Sequence, residues 1–384
     1  MPPARVSDYR GPMATNPVSD DDLKQRLIAA QQGMQAQGWT CMLVSPGPDL
    51  RYLTGYDAIP LERLTCLVMR DAGEPFLVVP ELEIAAAEAS PVGRLGLDLL
   101  PWSETEDPYA KTAQMVGPIS SVAVDDHMWA QKSLRFAAAF DGAPMALAGP
   151  VIGSLRMSKS PEEIEALREA GAAIDAVHAR VPEWLRAGRT EREVAADIDR
   201  AIIEAGHART DFVIVGSGPN GASPHHEVSD RVIQDGDPVV VDIGGTMPSG
   251  YCSDETRMYS VGAPPAAFVD SYAVLQEAQW TAVQAVRPGV PCEDIDAIAR
   301  DVIAGAGFGD LFIHRTGHGI GLETHEEPYI VAGNERPLEV GFAFSIEPGI
   351  YRRGEHGARI EDIVVCGEDG PLLMNERPRD LKVL

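Results

Sequence analysis

Along this chain the apolar positions change period, from the spacing of helices to that of short strands and back. Residues 23–37 carry apolar side chains at helical spacing and stop at Gly38. Cys41–Val44, Cys66 to Met69 and Phe76 to Val79 are apolar runs bounded by turn residues, the pattern of buried strands. Alternation of this kind up to about Gly149 predicts an α/β layer with at least part of its strands parallel.

The second half opens on Lys159-Ser-Pro-Glu-Glu-Ile164. Ser160 can cap a helix, Pro161 suits its first position, and Glu163 completes a capping box. Ile164, Leu167, Ala170, Ile174, Val177 and Val181 then mark one helical face, and Thr190-Glu-Arg-Glu193 repeats the start signal before Val194, Ile198 and Ile202. Further helices are expected over 268–286 and 294–303, ending near Gly289 and Gly305. Strands are expected over 212–215, 238–243, 252–261, 342–351 and 358–365. These patterns divide the chain into a polar tail (1–20), an N-terminal α/β domain (21–152) and a larger second domain (153–384).

A length of 384 residues suits two domains, and 45% hydrophobic with 23% charged residues is a globular composition. The 58 acidic residues outnumber the 32 basic ones, for a formal charge of −26, which disfavours nucleic acid and anionic membranes as partners. No apolar run reaches the 18 residues a membrane-spanning helix needs. The first 20 residues lack the apolar core of a secretory leader. Cys41, Cys66, Cys252, Cys292 and Cys366 are odd in number and have no C-x-x-C spacing, so reduced thiols in a cytoplasmic protein are expected.

The chemistry concentrates late. Seven of the nine histidines follow residue 206. Asp242 ends an apolar strand, Asp254 lies in Tyr251-Cys-Ser-Asp-Glu-Thr-Arg257, and the turn-rich Thr246-Met-Pro-Ser-Gly250 between them predicts a hairpin with both carboxylates on one side. Glu347 and Glu361 repeat the arrangement. A carboxylate inside an apolar strand is costly unless it is paired or binds metal. Two readings therefore stand side by side: salt bridges to Arg257, Arg352, Arg353 or Arg359, or a divalent-cation site completed by His318 of Thr316-Gly-His-Gly-Ile-Gly321.

The order Asp242, Asp254, His318, Glu347, Glu361 resembles that of the pita-bread metallopeptidases, in particular Xaa-Pro dipeptidases (prolidases) and aminopeptidase P. The words around it match as well: Ile214-Val-Gly-Ser-Gly218 with Pro224-His-His226, Ser253-Asp-Glu-Thr-Arg257, His314-Arg-Thr-Gly-His-Gly-Ile-Gly-Leu322, Ser345-Ile-Glu-Pro-Gly-Ile-Tyr351 and Arg359-Ile-Glu-Asp362. The first half resembles the smaller creatinase-type N-terminal domain, chiefly through Asp49-Leu-Arg-Tyr-Leu-Thr-Gly55. The resemblance implies an α+β protein, with a C-terminal pita-bread catalytic domain behind that smaller α/β domain.

It also implies metal-dependent hydrolysis of the Xaa-Pro bond in small peptides, by a water bridging two divalent cations. Manganese is the first expectation, with cobalt, zinc or iron as alternatives. Asp242 would hold one ion, His318 and Glu347 the other, and Asp254 and Glu361 would bridge both. Glu347 would accept the proton of the attacking water. His225 would steady the scissile bond, with its neighbour His226 as competitor for that role. His325 would contact the substrate carbonyl, His314 would line the substrate side, and Arg359 would orient Asp242. Relatives of this kind are commonly homodimers. Asp242 and Asp254 are 12 apart, one more than in many relatives. The short stretch from Tyr351 to Gly357 offers no evident arginine to clamp a dipeptide carboxylate. Dipeptidase and aminopeptidase both stay open, as do action on another amide and a catalytically inactive peptide-binding module.

Overall fold

A computed structural model describes residues 17–384, so most of the polar tail expected over 1–20 lies outside the described residues. Its last residues start the first helix, Asp20–Ala36, because the Ser19 side chain accepts a hydrogen bond from the Asp22 amide. Two compact units follow, Val18–Arg156 and 157–384, and the expected boundary region falls on the helix Gly149–Met157.

In the first unit, strands β1 (Cys41–Val44), β2 (Cys66–Arg70), β3 (Phe76–Pro80), β4 (Asp98–Trp102), β5 (Val122–Val124) and β6 (Met145–Leu147) form one sheet in the order β4-β3-β2-β1-β5-β6. The pairings β3–β4, β1–β5 and β5–β6 are parallel and the other two antiparallel, giving the mixed α/β layer anticipated from the alternating pattern. Leu43, Val68, Val78, Val122 and Phe136 form its core.

In the second unit, the helices Pro161–Trp184 and Glu191–Glu204 both begin with complete capping boxes, from Ser160 with Glu163 and from Thr190 with Glu193. Ile174, Val177, Val181, Val194, Ile198 and Ile202 pack onto the four-stranded sheet formed by β7 (Arg209–Ser217), β8 (Pro238–Thr246), β9 (Cys252–Ser260) and the short strand Lys382–Val383, which runs parallel to β9. The helices Ala266–Ala285 and Cys292–Gly305 cover other strands. Five of these are β10 (Gly317–Gly319), β11 (Glu326–Ile330), β12 (Ala343–Ile346), β13 (Gly349–Arg352) and β14 (His356–Arg359). Two more, β15 (Asp362–Cys366) and β16 (Pro371–Leu373), lie close to the chain end. Among the described residues no helix is long and apolar enough to cross a membrane.

Two expected strands, 342–351 and 358–365, are each split. β12 pairs with β15 and β13 pairs with β14, so the long hairpin passes from one sheet to another at a seam. Pro348 has no N–H for a ladder. At the seam the Glu347 amide donates to the Thr316 carbonyl and the Glu361 amide to the Thr256 carbonyl. The break places both glutamates where two sheets meet.

The glycines around His318 serve close approach. Neither Gly317 nor Gly319 has positive φ, whereas a Cβ on Gly317 would lie 1.9 Å from the Ser345 carbonyl oxygen and one on Gly319 2.2 Å from that of Glu327. Gly317→Ala must push β10 away from β12 and is expected to destabilise the protein by about 1–3 kcal/mol, the usual cost of overpacking. Gly305→Ala, where a Cβ meets nothing within 4 Å, is the control and should stay within about 0.5 kcal/mol. Urea denaturation of the two variants decides it: equal midpoints would show that β10 has room to spare.

Candidate metal centre and active site

Register builds the first half of the site. In the β8–β9 hairpin Asp242 faces Thr256 and Gly244 faces Asp254. Residues 242 and 244 share a face, so Asp242, Asp254 and Thr256 project to the same side. The longer turn is absorbed by hydrogen bonds from the Gly250 amide to the Met247 carbonyl and from the Met247 amide to the Tyr251 carbonyl, with Gly250 at φ 93°. The seam supplies Glu347 and Glu361, and β10 supplies His318.

These side chains converge. Ligand atoms of Asp254, His318 and Glu361 all lie within 4.8 Å of one another, and all three residues are buried. His318 Nε2 is 3.2 Å from Glu347 Oε1 and 3.8 Å from Asp254 Oδ2. Its Nδ1 lies 3.0 Å from the Gly319 carbonyl oxygen, which can only accept, so Nδ1 carries a hydrogen and Nε2 faces the carboxylates, where it can share a proton with them or offer a lone pair to a cation. Asp242 Oδ1 is buried without a hydrogen-bond partner among the described residues. Acceptor atoms aimed at one another can share only a proton or a cation. The donor set, one imidazole and four carboxylates, fits hard to borderline divalent ions.

Arg359 is the permanent positive charge within reach. It donates to Asp242 Oδ2 through Nη2, to the Thr256 hydroxyl at 3.1 Å and to the Tyr351 hydroxyl at 2.9 Å. Thr256 passes its own proton to Glu361 at 2.8 Å. The salt-bridge reading of the acidic residues thus holds for Asp242 and, at 3.9 Å from Arg359 Nε, for Glu347, while Arg257 pairs with Glu255 and Asp362, not with Asp254. Arg352 stacks over Phe308.

Electrostatics separates the four acids. Burial first, then Glu361, Asp242 and Glu347, push the Asp254 carboxyl well above the ordinary range. Burial and the charges of Glu347 and Asp242 do the same to Glu361. Burial also raises Asp242, against the pull of Arg359. Glu347 goes the other way. Burial raises it, but the contact with His318, then the charges of His318, His314 and Arg359, outweigh this and bring it down to about 2. Four carboxylates this close cannot all ionise without cations, and Glu347 is the one its surroundings keep charged.

The remaining histidines stand around this cluster. The His325 ring meets His318 edge-on, with centroids 4.0 Å apart, and its partial burial, then His318, hold its pKa below the usual range. His314 is lowered by burial. Its Nδ1 donates to the Arg315 carbonyl and its Nε2 accepts from the Tyr351 hydroxyl, so both ring nitrogens are engaged and only ring edge is left for a ligand. His225 is exposed, next to His226 in the same loop. His226 faces away, with Nε2 2.8 Å from Glu191. Thr256 and Tyr351, which link Arg359 to the rest, carry no signal in the sequence beyond lying inside the acidic motifs.

Residues 165–368 match metallopeptidase family M24, and residues 26–158 match the creatinase/prolidase N-terminal domain. A probable dipeptidase PepE of Mycobacterium tuberculosis is 52% identical over 362 residues, 94% of this chain and 96% of that one. An Xaa-Pro dipeptidase of Lactobacillus helveticus is 36% identical over 365 residues, covering 92% and 97%. The crystal structure of dipeptidase PepE from Mycobacterium ulcerans superposes with a TM-score of 0.91 at 52% identity, covering 95% of this chain and 99% of that one. With a matching catalytic domain, a matching N-terminal domain and full-length relatives on either side of it, the chain belongs to metallopeptidase family M24 and is a hydrolytic metallopeptidase of the prolidase type.

Proposed function

We propose that this protein hydrolyses the Xaa-Pro bond of dipeptides, using two divalent cations, manganese first among them. The observation that carries the reading is the convergence of Asp254, Glu361, Glu347 and His318 Nε2 beside a partnerless Asp242 oxygen. Asp242 would hold one ion, His318 and Glu347 the other, with Asp254 and Glu361 shared. Bound ions would lower the pKa of water and polarise the scissile carbonyl. The names of the Mycobacterium tuberculosis and Lactobacillus helveticus relatives support a dipeptide and an Xaa-Pro bond.

The chain's own groups have distinct tasks. Glu347, charged at neutral pH, is available to take the proton of the attacking water. His225 and His325 would donate hydrogen bonds to the scissile bond and its carbonyl. Arg359 would aim Asp242 and favour its ionised form against the effect of burial. His314, held by Tyr351, walls the substrate side. Turnover of Xaa-Pro dipeptides against Xaa-Pro-Yaa tripeptides, with the enzyme loaded in turn with manganese, cobalt, zinc and iron, tests substrate and metal together. Preference for tripeptides would make it an aminopeptidase instead.

The bridging assignment gives a second expectation. Asp254→Asn should lower occupancy at both sites, because a neutral amide cannot screen two cations about 3.5–4 Å apart, whereas Asp242→Asn should weaken mainly one. Metal analysis after dialysis measures both. Two ions held by Asp254→Asn as tightly as by the parent would exclude shared ligation.

The raised carboxyls give a pH dependence with a definite sign. A carboxyl whose folded pKa exceeds its unfolded value, about 4, adds stability below that value and loses it as pH rises through the folded value. Asp254 and Glu361 are of this kind. Glu347 has the opposite sign, but its window lies down at about 2. Cations bind the ionised forms and reverse the loss. Added manganese should therefore raise Tm more at about pH 8 than at about pH 5. Equal shifts at both would show that these carboxyls bind metal without giving up protons.

A further inference from the structure

The carboxylate of Glu191 lies outside the metal centre, yet it is fully buried and gathers donors from one loop. Glu191 is the first residue of the helix Glu191–Glu204, where the helix dipole favours an anion. Its Oε1 accepts from the Ser217 amide at 2.8 Å, the Ser217 hydroxyl at 2.7 Å and Asn220 Nδ2 at 3.0 Å. Its Oε2 accepts from His226 Nε2 at 2.8 Å, the Ser229 hydroxyl at 2.6 Å and the Ser229 amide at 3.2 Å. Burial raises the Glu191 carboxyl, but the hydrogen bonds from Ser229, Ser217 and His226 outweigh it and hold it low, so the acceptor stays ionised. Arg231 fastens the same loop from outside, donating to Ser217 Oγ at 2.6 Å and to Asp237 at 2.6 and 3.0 Å.

These donors come from the start, middle and end of the segment 217–229, and His225 is within it. The adjacent His226 is turned inward onto the carboxylate while His225 is exposed. We propose that Glu191 is the positioning residue of His225: one buried carboxylate ties down both ends of the loop and the neighbouring imidazole, and so fixes where the His225 side chain points. The inference rests on the role given to His225 above. The side-chain hydrogen bonds of Glu191 go to Ser217, Asn220, His226 and Ser229, none of them a proposed metal ligand. Glu191 acts through the loop, much as outer partners orient the ligands of a metal.

The test is a double-mutant cycle on the manganese-loaded full-length protein with an Xaa-Pro dipeptide. Glu191→Gln keeps the shape but presents an NH2 to donors that need an acceptor. It should retain both metals and lose about 10–100-fold in kcat, with KM little changed. In a His225→Ala background the same substitution should cost no more than about twofold, because the group being positioned is gone. Losses that multiply, loss of metal, or an unchanged kcat in Glu191→Gln would each overturn the proposal. Should Glu191→Gln fail to fold, His226→Phe and Ser229→Ala each remove one arm of the same carboxylate. They should show the same dependence on His225 at smaller size, and multiplying losses there overturn it equally. Wild-type turnover by His225→Ala would instead strike the role of His225 itself, and the inference with it, an outcome distinct from multiplying losses in a cycle where His225→Ala is impaired.

Discussion

Asp242, Asp254, Glu347 and Glu361 are pressed together in a buried space where Arg359 is the permanent cation that reaches them. Two like charges about 4 Å apart repel by about 4 kcal/mol at an effective dielectric constant of about 20. The site pays this penalty through its neighbours. Arg359 and Thr256 take up one carboxylate oxygen each, His318 stands against Glu347, and Asp254 and Glu361 are pushed toward the protonated form. The surrounding structure is arranged so that this unfavourable cluster persists, and its donor set fits divalent cations.

That arrangement needs rigid backbones on every side. The β8–β9 hairpin holds two acids by register, and the seam between β12/β15 and β13/β14 holds the other two where the chain changes sheets. β10 comes so close to β12 and β11 that only glycine fits beside His318. Behind the metal side, a second set of buried charges is kept separate. Arg257 serves Glu255 and Asp362, and Arg379 and Gln279 also bind Asp362, so these groups do not compete for the clustered acids.

The histidines divide by the same logic of partners. His318 gives a hydrogen to a backbone carbonyl and so can offer a lone pair. His314 is locked by Tyr351 and Arg315, and His226 is claimed by Glu191. His225 and His325 are the most exposed of these five. An imidazole's chemistry here follows from what holds its other nitrogen, and that is a matter of tertiary contact.

The sequence by itself determined the local pieces: the helix starts at Ser160 and Thr190, the hairpin around Thr246-Met-Pro-Ser-Gly250, and the order of the four acids and one imidazole that pointed to the family. These follow from capping, turn chemistry and strand period, which act over a few residues. Only the tertiary structure decided the partners. Arg359 meets Asp242 across 117 positions and Thr256 meets Glu361 across 105. The expected strands 342–351 and 358–365 break at Glu347 and Glu361 because other strands, not sequence neighbours, take their amides. His225 and His226 are adjacent and chemically identical in the sequence. What separates them is a carboxylate 35 residues away from His226, and no local period carries that information.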